Sequence, residues 1–221
     1  MHADIEKALV QPFEFKTSYY FKRSWDIFWE APWMFIGAFI VWGIITAILS
    51  IFPIIGQIAS TILHVVEVAG FYIVIQKMTH KESVDFNDFY KGFQFAGKLI
   101  IPYVLSVIII VAGFFFLIIP GIYLLVAYIF VIPMALYYDE DVWNTLEASR
   151  KIVSKQWFSF LGFFLLLFLF NILGLICLGI GLLVTLPVSI ISTYIIFKDI
   201  VQSSDQNNDY FQDAQIIDSS I

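Results

Sequence analysis

Glu67 stands alone in a long apolar tract: no other charged residue occurs between Glu30 and Lys77. An ionised carboxylate at bilayer depth costs on the order of 3 kcal/mol or more, so it must be neutral, paired or turned toward a polar cavity. His64 lies one helical turn earlier on the same face, and Ser60 extends the polar stripe to i, i+4, i+7. Two chemistries fit this set. One is a proton- or cation-responsive site in a transport path, a use common to intramembrane Glu and His. The other is a protonated Glu67 that hydrogen-bonds His64 or nearby serines and ties helices together, at about 0.6–2 kcal/mol per contact. Catalytic signatures are absent: there is no H-E-x-x-H, G-x-S-x-G, Walker A loop, G-x-G-x-x-G or Cys/His cluster. The expectation is therefore no enzyme, no metal and no cofactor. Asn171 reads as interhelical glue, His80-Lys81-Glu82 as a solvated connection, and the single Cys177 as a packing residue.

The elements that must hold Glu67 follow from composition. Of 221 residues, 60% are hydrophobic and only 14% charged, with a mean hydropathy of +0.87. Soluble domains carry roughly 25% charge, so an ordinary cytosolic globule is excluded, and so is a disordered chain. The net charge of −6 argues against nucleic acid. Residues 99–138 and 156–197 hold no charge at all. As single helices each would be about 60 Å long, twice the roughly 30 Å of bilayer hydrocarbon. Each must fold back on itself, and so must 31–76. Helix breakers stand where the folds are needed: Pro53 and Gly56, Pro120-Gly121, and Gly179 with Gly181. The pattern predicts spans near 32–51, 57–76, 98–118, 122–138, 157–177 and 182–200, with kinks at Pro102, Pro133 and Pro187. The first 30 residues lack the apolar core of a signal peptide, so insertion is expected to use the first span.

All twelve Lys and Arg fall in the N-terminal segment, the two long connections or beside the tail, and none in the three short turns. The positive-inside rule then puts both termini and both long connections in the cytoplasm. Placing residue n beside n+125 matches Ser24 with Ser149, Ile27 with Ile152, Phe35 with Phe160 and Gly56 with Gly181. Gly121 takes the same place in the middle of the chain. This predicts pseudo-repeats over about 17–78, 83–140 and 141–200, each a cytoplasmic amphipathic stretch followed by a helical hairpin. The stretches carry Phe21, Trp25, Phe28 and Trp29; Phe86, Phe89, Tyr90 and Phe93; and Trp143, Leu146, Val153 and Trp157. The fold class is thus all-α: six transmembrane helices as three parallel hairpins in one domain, 1–200, with an acidic cytoplasmic tail over 201–221. Carrying the offset onto the polar stripe adds Thr185, Ser189 and Ser192 on the sixth span as the face opposite Ser60, His64 and Glu67.

The surroundings of Ser24-Trp25, the I-P-G-I-Y sequence at Ile119 to Tyr123, and the stretch Asp141 to Trp157 resemble a broad set of bacterial six-helix membrane proteins. That set includes the membrane domain attached to some glycerophosphodiester phosphodiesterases, and relatives that stand alone. The resemblance implies a bacterial inner-membrane location. It does not bring the phosphodiesterase activity, because the barrel that carries that chemistry has no counterpart in this chain. The expected role is a non-catalytic membrane scaffold or accessory subunit, its partners the bilayer and a protein docked on the amphipathic helices or tail. The alternative is a small transporter or channel built on Glu67 and His64.

Overall fold

The computed structural model describes residues 2–177 and 179–202; most of the acidic tail, from residue 203 on, lies outside them. The described residues are helical throughout, with no strand. Helix α1 (Ala3–Val10) and α2 (Thr17–Glu30) precede α3 (Pro32–Leu49) and α4 (Ile55–Thr79). A 3-10 helix (Phe86–Phe95) leads into α5 (Ala96–Phe116), followed by α6 (Ile118–Ala127) and α7 (Val131–Tyr137). The chain continues through α8 (Val142–Ser154), α9 (Trp157–Ile176) and α10 (Leu182–Phe197) to a π-helical turn (Lys198–Gln202). Six helical segments are long and apolar enough to cross a membrane: Pro32–Leu49, Ile55–Thr79, Phe86–Phe116, Ile118–Tyr137, Trp157–Ile176 and Leu182–Val201.

Local chemistry explains most boundaries. Pro32 opens α3, where a missing N–H costs nothing. Gly179 takes φ +75° between α9 and α10, a conformation that a side chain would resist. Gly174 and Gly181 let those two helices touch: a Cβ on Gly181 would lie 2.7 Å from the Gly174 Cα. Pro120-Gly121 do not make the turn expected of them. The chain reverses at the extended residue Leu117, and Pro120 sits in the first turn of α6, where proline is tolerated. Pro102 and Pro187 stand inside continuous helices, whereas Pro133 follows a true break at Tyr128–Phe130.

That break is held by Ser149 of α8. Its Oγ accepts from the Phe130 N–H at 3.2 Å and donates to the Ala127 carbonyl at 2.8 Å, replacing one rung of the interrupted helix. Before the break, α6 lies along α8: Tyr123 Oη is 2.6 Å from Ser154 Oγ, and its ring stands 6.0 Å from that of Trp157. Phe130 packs on both Phe160 and Phe197, at 5.5 and 5.6 Å between ring centroids. Tyr123 and Trp157, at the starts of the predicted spans 122–138 and 157–177, are therefore neighbours. The fourth apolar segment is interrupted at 128–130, just before Pro133, where the sequence predicts a kink within one span.

The three polar stretches pack inward as well. The 3-10 helix lies against α4, α8 against α6 and α7, and α2 against α10, so each rests on the helical segment before it and the first rests on the last. Helix α4 and the 3-10 helix meet backbone to backbone. A Cβ on Gly70 would fall 1.9 Å from the Phe89 carbonyl oxygen, and one on Gly92 would fall 2.1 Å from that of Val66. Asp88, almost fully buried there, accepts from the Asp85 N–H (2.9 Å) and pairs with Lys77 (2.9 Å) and Lys91 (2.6 Å). Burial without those partners would be costly. In α2 the buried side chains are Tyr20, Ser24, Ile27 and Phe28, with Trp25 and Trp29 left exposed. The Tyr20 hydroxyl donates to Asp199 at 2.7 Å and ties α2 to the π-turn. In α8, Leu146, Ser149, Ile152 and Val153 face inward while Trp143 is exposed. Small and branched residues allow the close approach; much of the aromatic stripe seen in the sequence is left at the surface.

Two outcomes follow from these contacts. Ser149→Ala strands a buried donor and a buried acceptor, and should cost about 1–3 kcal/mol in detergent unfolding. Ser24→Ala should cost much less, since Ser24 Oγ bonds only to Tyr20 O of its own helix. On α8, the Arg150 Nε and Nη2 fork onto Glu147 at 2.8 and 2.7 Å holds that carboxyl below its ordinary value of 4.5. A depressed carboxyl contributes stability above its unfolded value and loses it as pH falls toward the folded one. Glu147→Gln should therefore lower Tm at neutral pH by the equivalent of about 1 kcal/mol or less. The gap from the native chain should close in titrations below pH 4.5.

Candidate functional site

Helix α4 presents Gln57, Ser60, Thr61, His64 and Glu67 along one side, at the 3–4 residue spacing that keeps side chains on a common face. That side lines a cavity of about 720 Å³. Across the cavity α10 contributes Ser189 and Thr193, α9 contributes Asn171, α3 contributes Thr46 and α5 contributes Tyr103. The rest of the wall is apolar and aromatic, with Phe39, Trp42, Phe164 and Phe168 the bulkiest members. Ile129 and Ile132, from the break and from α7, complete the lining.

Within the cavity the polar groups are sparsely paired. His64 Nδ1 lies 3.6 Å from Glu67 Oε2, a contact that is an ion pair only when the imidazole is protonated. The Glu67 side chain is 14% exposed and that of His64 is 53% exposed, so the imidazole stands at the open side and the carboxylate behind it. The His64 ring faces Tyr103 at 6.3 Å. Ser60 and Thr61 both donate back to the Gln57 carbonyl, at 3.0 and 2.8 Å, which leaves their oxygens able to accept from a guest. Asn171 donates from Nδ2 to Leu167 O at 2.8 Å and to Ser189 Oγ at 2.9 Å, while Ser189 donates onward to Thr185 O at 2.8 Å. Asn171 Oδ1 is buried and has no hydrogen-bond partner among the described residues.

Four of the six site residues read from the sequence, Ser60, His64, Glu67 and Ser189, line this one cavity. Thr185 and Ser192 are buried but do not reach it. Ser192 Oγ donates to Val188 O at 2.8 Å, and Thr185 Oγ1 lies so close to α9 that a Cβ on Gly174 would be 2.6 Å away. The cavity side of α10 runs through Leu186, Ser189, Ile190 and Thr193, a rotation that leaves 185 and 192 behind. Sequence reasoning missed Gln57, Thr61, Thr46, Tyr103 and Thr193, and assigned Asn171 to packing alone. One signal was available: the same offset of 125 places Thr46 on Asn171, and both line the cavity.

Chemically the cavity offers one carboxylate, one imidazole, hydroxyls and an amide oxygen within aromatic walls. That set receives a positive charge and hydrogen-bond donors. Among the described residues, no three His, Cys, Asp or Glu side chains are placed to hold a metal ion. The fold and cavity define a class: among the described residues, an all-α fold with six apolar helices able to cross a membrane and a partly polar, open cavity between them. Compared with known proteins, the chain matches no family model, no curated protein and no solved structure.

The chamber predicts a labelling pattern. In a Cys177→Ser background, cysteines at Gln57 and Ser60 should react with a small water-soluble thiol reagent. Cysteines at Thr185 and Ser192 should stay unreactive in the folded protein and react after denaturation.

Proposed function

We propose that this protein is a multi-pass membrane protein that receives a small organic cation in its chamber and moves it in exchange for protons. Glu67 is the anionic anchor and His64 the proton-sensitive partner at its open side. One observation carries the reading: polar side chains from α3, α4, α5, α9 and α10 converge on one cavity of about 720 Å³. Small-molecule sites typically enclose about 300–1,000 Å³. Polar groups that merely hold helices together would be used up on one another, whereas Glu67 and His64 stand 3.6 Å apart and the Ser60 and Thr61 oxygens keep acceptor capacity toward the cavity. Trp42, Tyr103, Phe164 and Phe168 add π-faces that attract a desolvated cation. This favours the transporter reading over the scaffold or accessory subunit.

The location proposed is the bacterial inner membrane, supported by the resemblance to six-helix proteins of that membrane. Both ends and every basic residue stand on the cytoplasmic side in this reading. The pseudo-repeat has structural support in the shared packing of α2, the 3-10 helix and α8, the latter two against the helical segment before them and the first against the last. The bend in the fourth segment sets the middle unit apart.

In proteoliposomes with an imposed proton gradient, the fluorescent aromatic cation ethidium should be carried by the native chain. Glu67→Gln should reduce that flux at least about tenfold, because a neutral amide attracts the cation more weakly by about 1.4 kcal/mol or more. His64→Gln should retain transport with an altered pH profile. Equal flux in native and Glu67→Gln proteoliposomes would remove the carboxylate as anchor, and a protein recovered equally by both in mild detergent would restore the accessory-subunit reading.

A further inference from the structure

A second groove lies on the outer surface of the helix bundle, between α2 and α9, and is separate from the chamber. It has a volume of about 680 Å³. On α9 it follows Gly162, Leu165, Leu166, Leu169 and Leu173, a stripe about 16 Å long at 1.5 Å per residue. Those four leucines are between 38% and 61% exposed, so a large part of each is left uncovered by the described residues. Phe21 closes the α2 side, its ring 5.2 Å from that of Phe170. Polar groups occur only where α2 begins: Thr17, Ser18 and Lys22. No side chain caps that start, so first-turn N–H groups add to the positive character there.

We infer that this groove is a binding site for an anionic phospholipid, one acyl chain lying along the α9 leucines and the phosphate resting against Lys22, Thr17 and Ser18. The charge pattern selects the occupant. An apolar trough alone would accept any lipid tail, but a cation and two hydroxyls at one end match a phosphate carrying net negative charge. The helix that forms the other wall, α2, is the one tied to α10 and the π-turn, so an occupant would brace the contact between the two ends of the helical bundle.

Gly162 makes the inference testable. A Cβ built there meets nothing within 4 Å, so a side chain can start from this position into open space beside the groove. Full-length protein in mild detergent should gain about 5 °C in Tm from added phosphatidylglycerol over phosphatidylcholine of the same chains. Gly162→Phe should abolish that difference while Gly162→Ala keeps it. Lys22→Gln, an exposed change that leaves the trough intact, should make the two lipids equivalent. Inorganic phosphate should give no shift, because the acyl chain supplies most of the binding surface. Equal shifts by both lipids on the native protein would overturn the inference, as would a phosphatidylglycerol increment that survives both Gly162→Phe and Lys22→Gln. A native dimer that Gly162→Phe converts to monomer would assign the groove to a second copy instead.

Discussion

A backbone surrounded by apolar side chains and lipid can satisfy its N–H and C=O groups only from within the protein, and every feature of this fold answers to that constraint. It makes the described residues helical, and it determines how a helix is allowed to stop. Where the fourth apolar segment breaks, the freed groups of Ala127 and Phe130 are met by one hydroxyl from α8. Where Asp88 is buried, it receives a backbone N–H and two ammonium groups. The rule is relaxed along the α9–α10 contact, where Asn171 Oδ1 and Thr185 Oγ1 are buried without a hydrogen-bond partner among the described residues, and at Glu67, which has at 3.6 Å a histidine that balances its charge only when protonated.

The same constraint sets how closely helices approach. Apolar surfaces gain little from meeting in a bilayer, so association depends on shape and on small residues that admit close contact. Gly70 and Gly92 bring the 3-10 helix onto α4, and Gly174 and Gly181 bring α9 onto α10. These contacts fix the α4 side of the chamber and the α9–α10 side, which together carry Gln57, Glu67, Asn171 and Ser189. The aromatic residues fill what remains: Phe35, Phe71 and Phe89 stack within about 6 Å of one another, next to the chamber-lining Phe39.

Much of this was legible in the sequence, for a physical reason: charge is excluded from long apolar helices, so its absence marks them. The charge-poor stretches located all six apolar segments found among the described residues, and Pro53 and Gly179 stand in turns as their chemistry requires. Pro120-Gly121 misled because proline at the start of a helix and proline in a turn leave the same trace. The break at Tyr128–Phe130 left none, since its compensating hydroxyl comes from Ser149, nineteen residues away. Ser60, His64 and Glu67 were legible as a face because helical spacing is local. Which side of α10 meets them was not, because the rotation of a helix is decided by its neighbours. That is why Ser189 lines the cavity with them while Thr185 and Ser192 do not.

The seating of α2 on α10 has a bearing on how the chain matures. Ribosomes deliver it from the N-terminus at roughly 5–20 residues per second, and α2 emerges long before α10 exists. For on the order of ten seconds or more its inward face lacks α10, and only Phe28, stacked on Phe35 of α3, and Tyr20, against Phe15, have neighbours already made. Closure of the bundle is therefore a late event of biosynthesis, when the sixth segment arrives and Tyr20 meets Asp199. A nascent chain stalled before residue 182 would expose that face to quality-control proteases, although all of α2 had already been made.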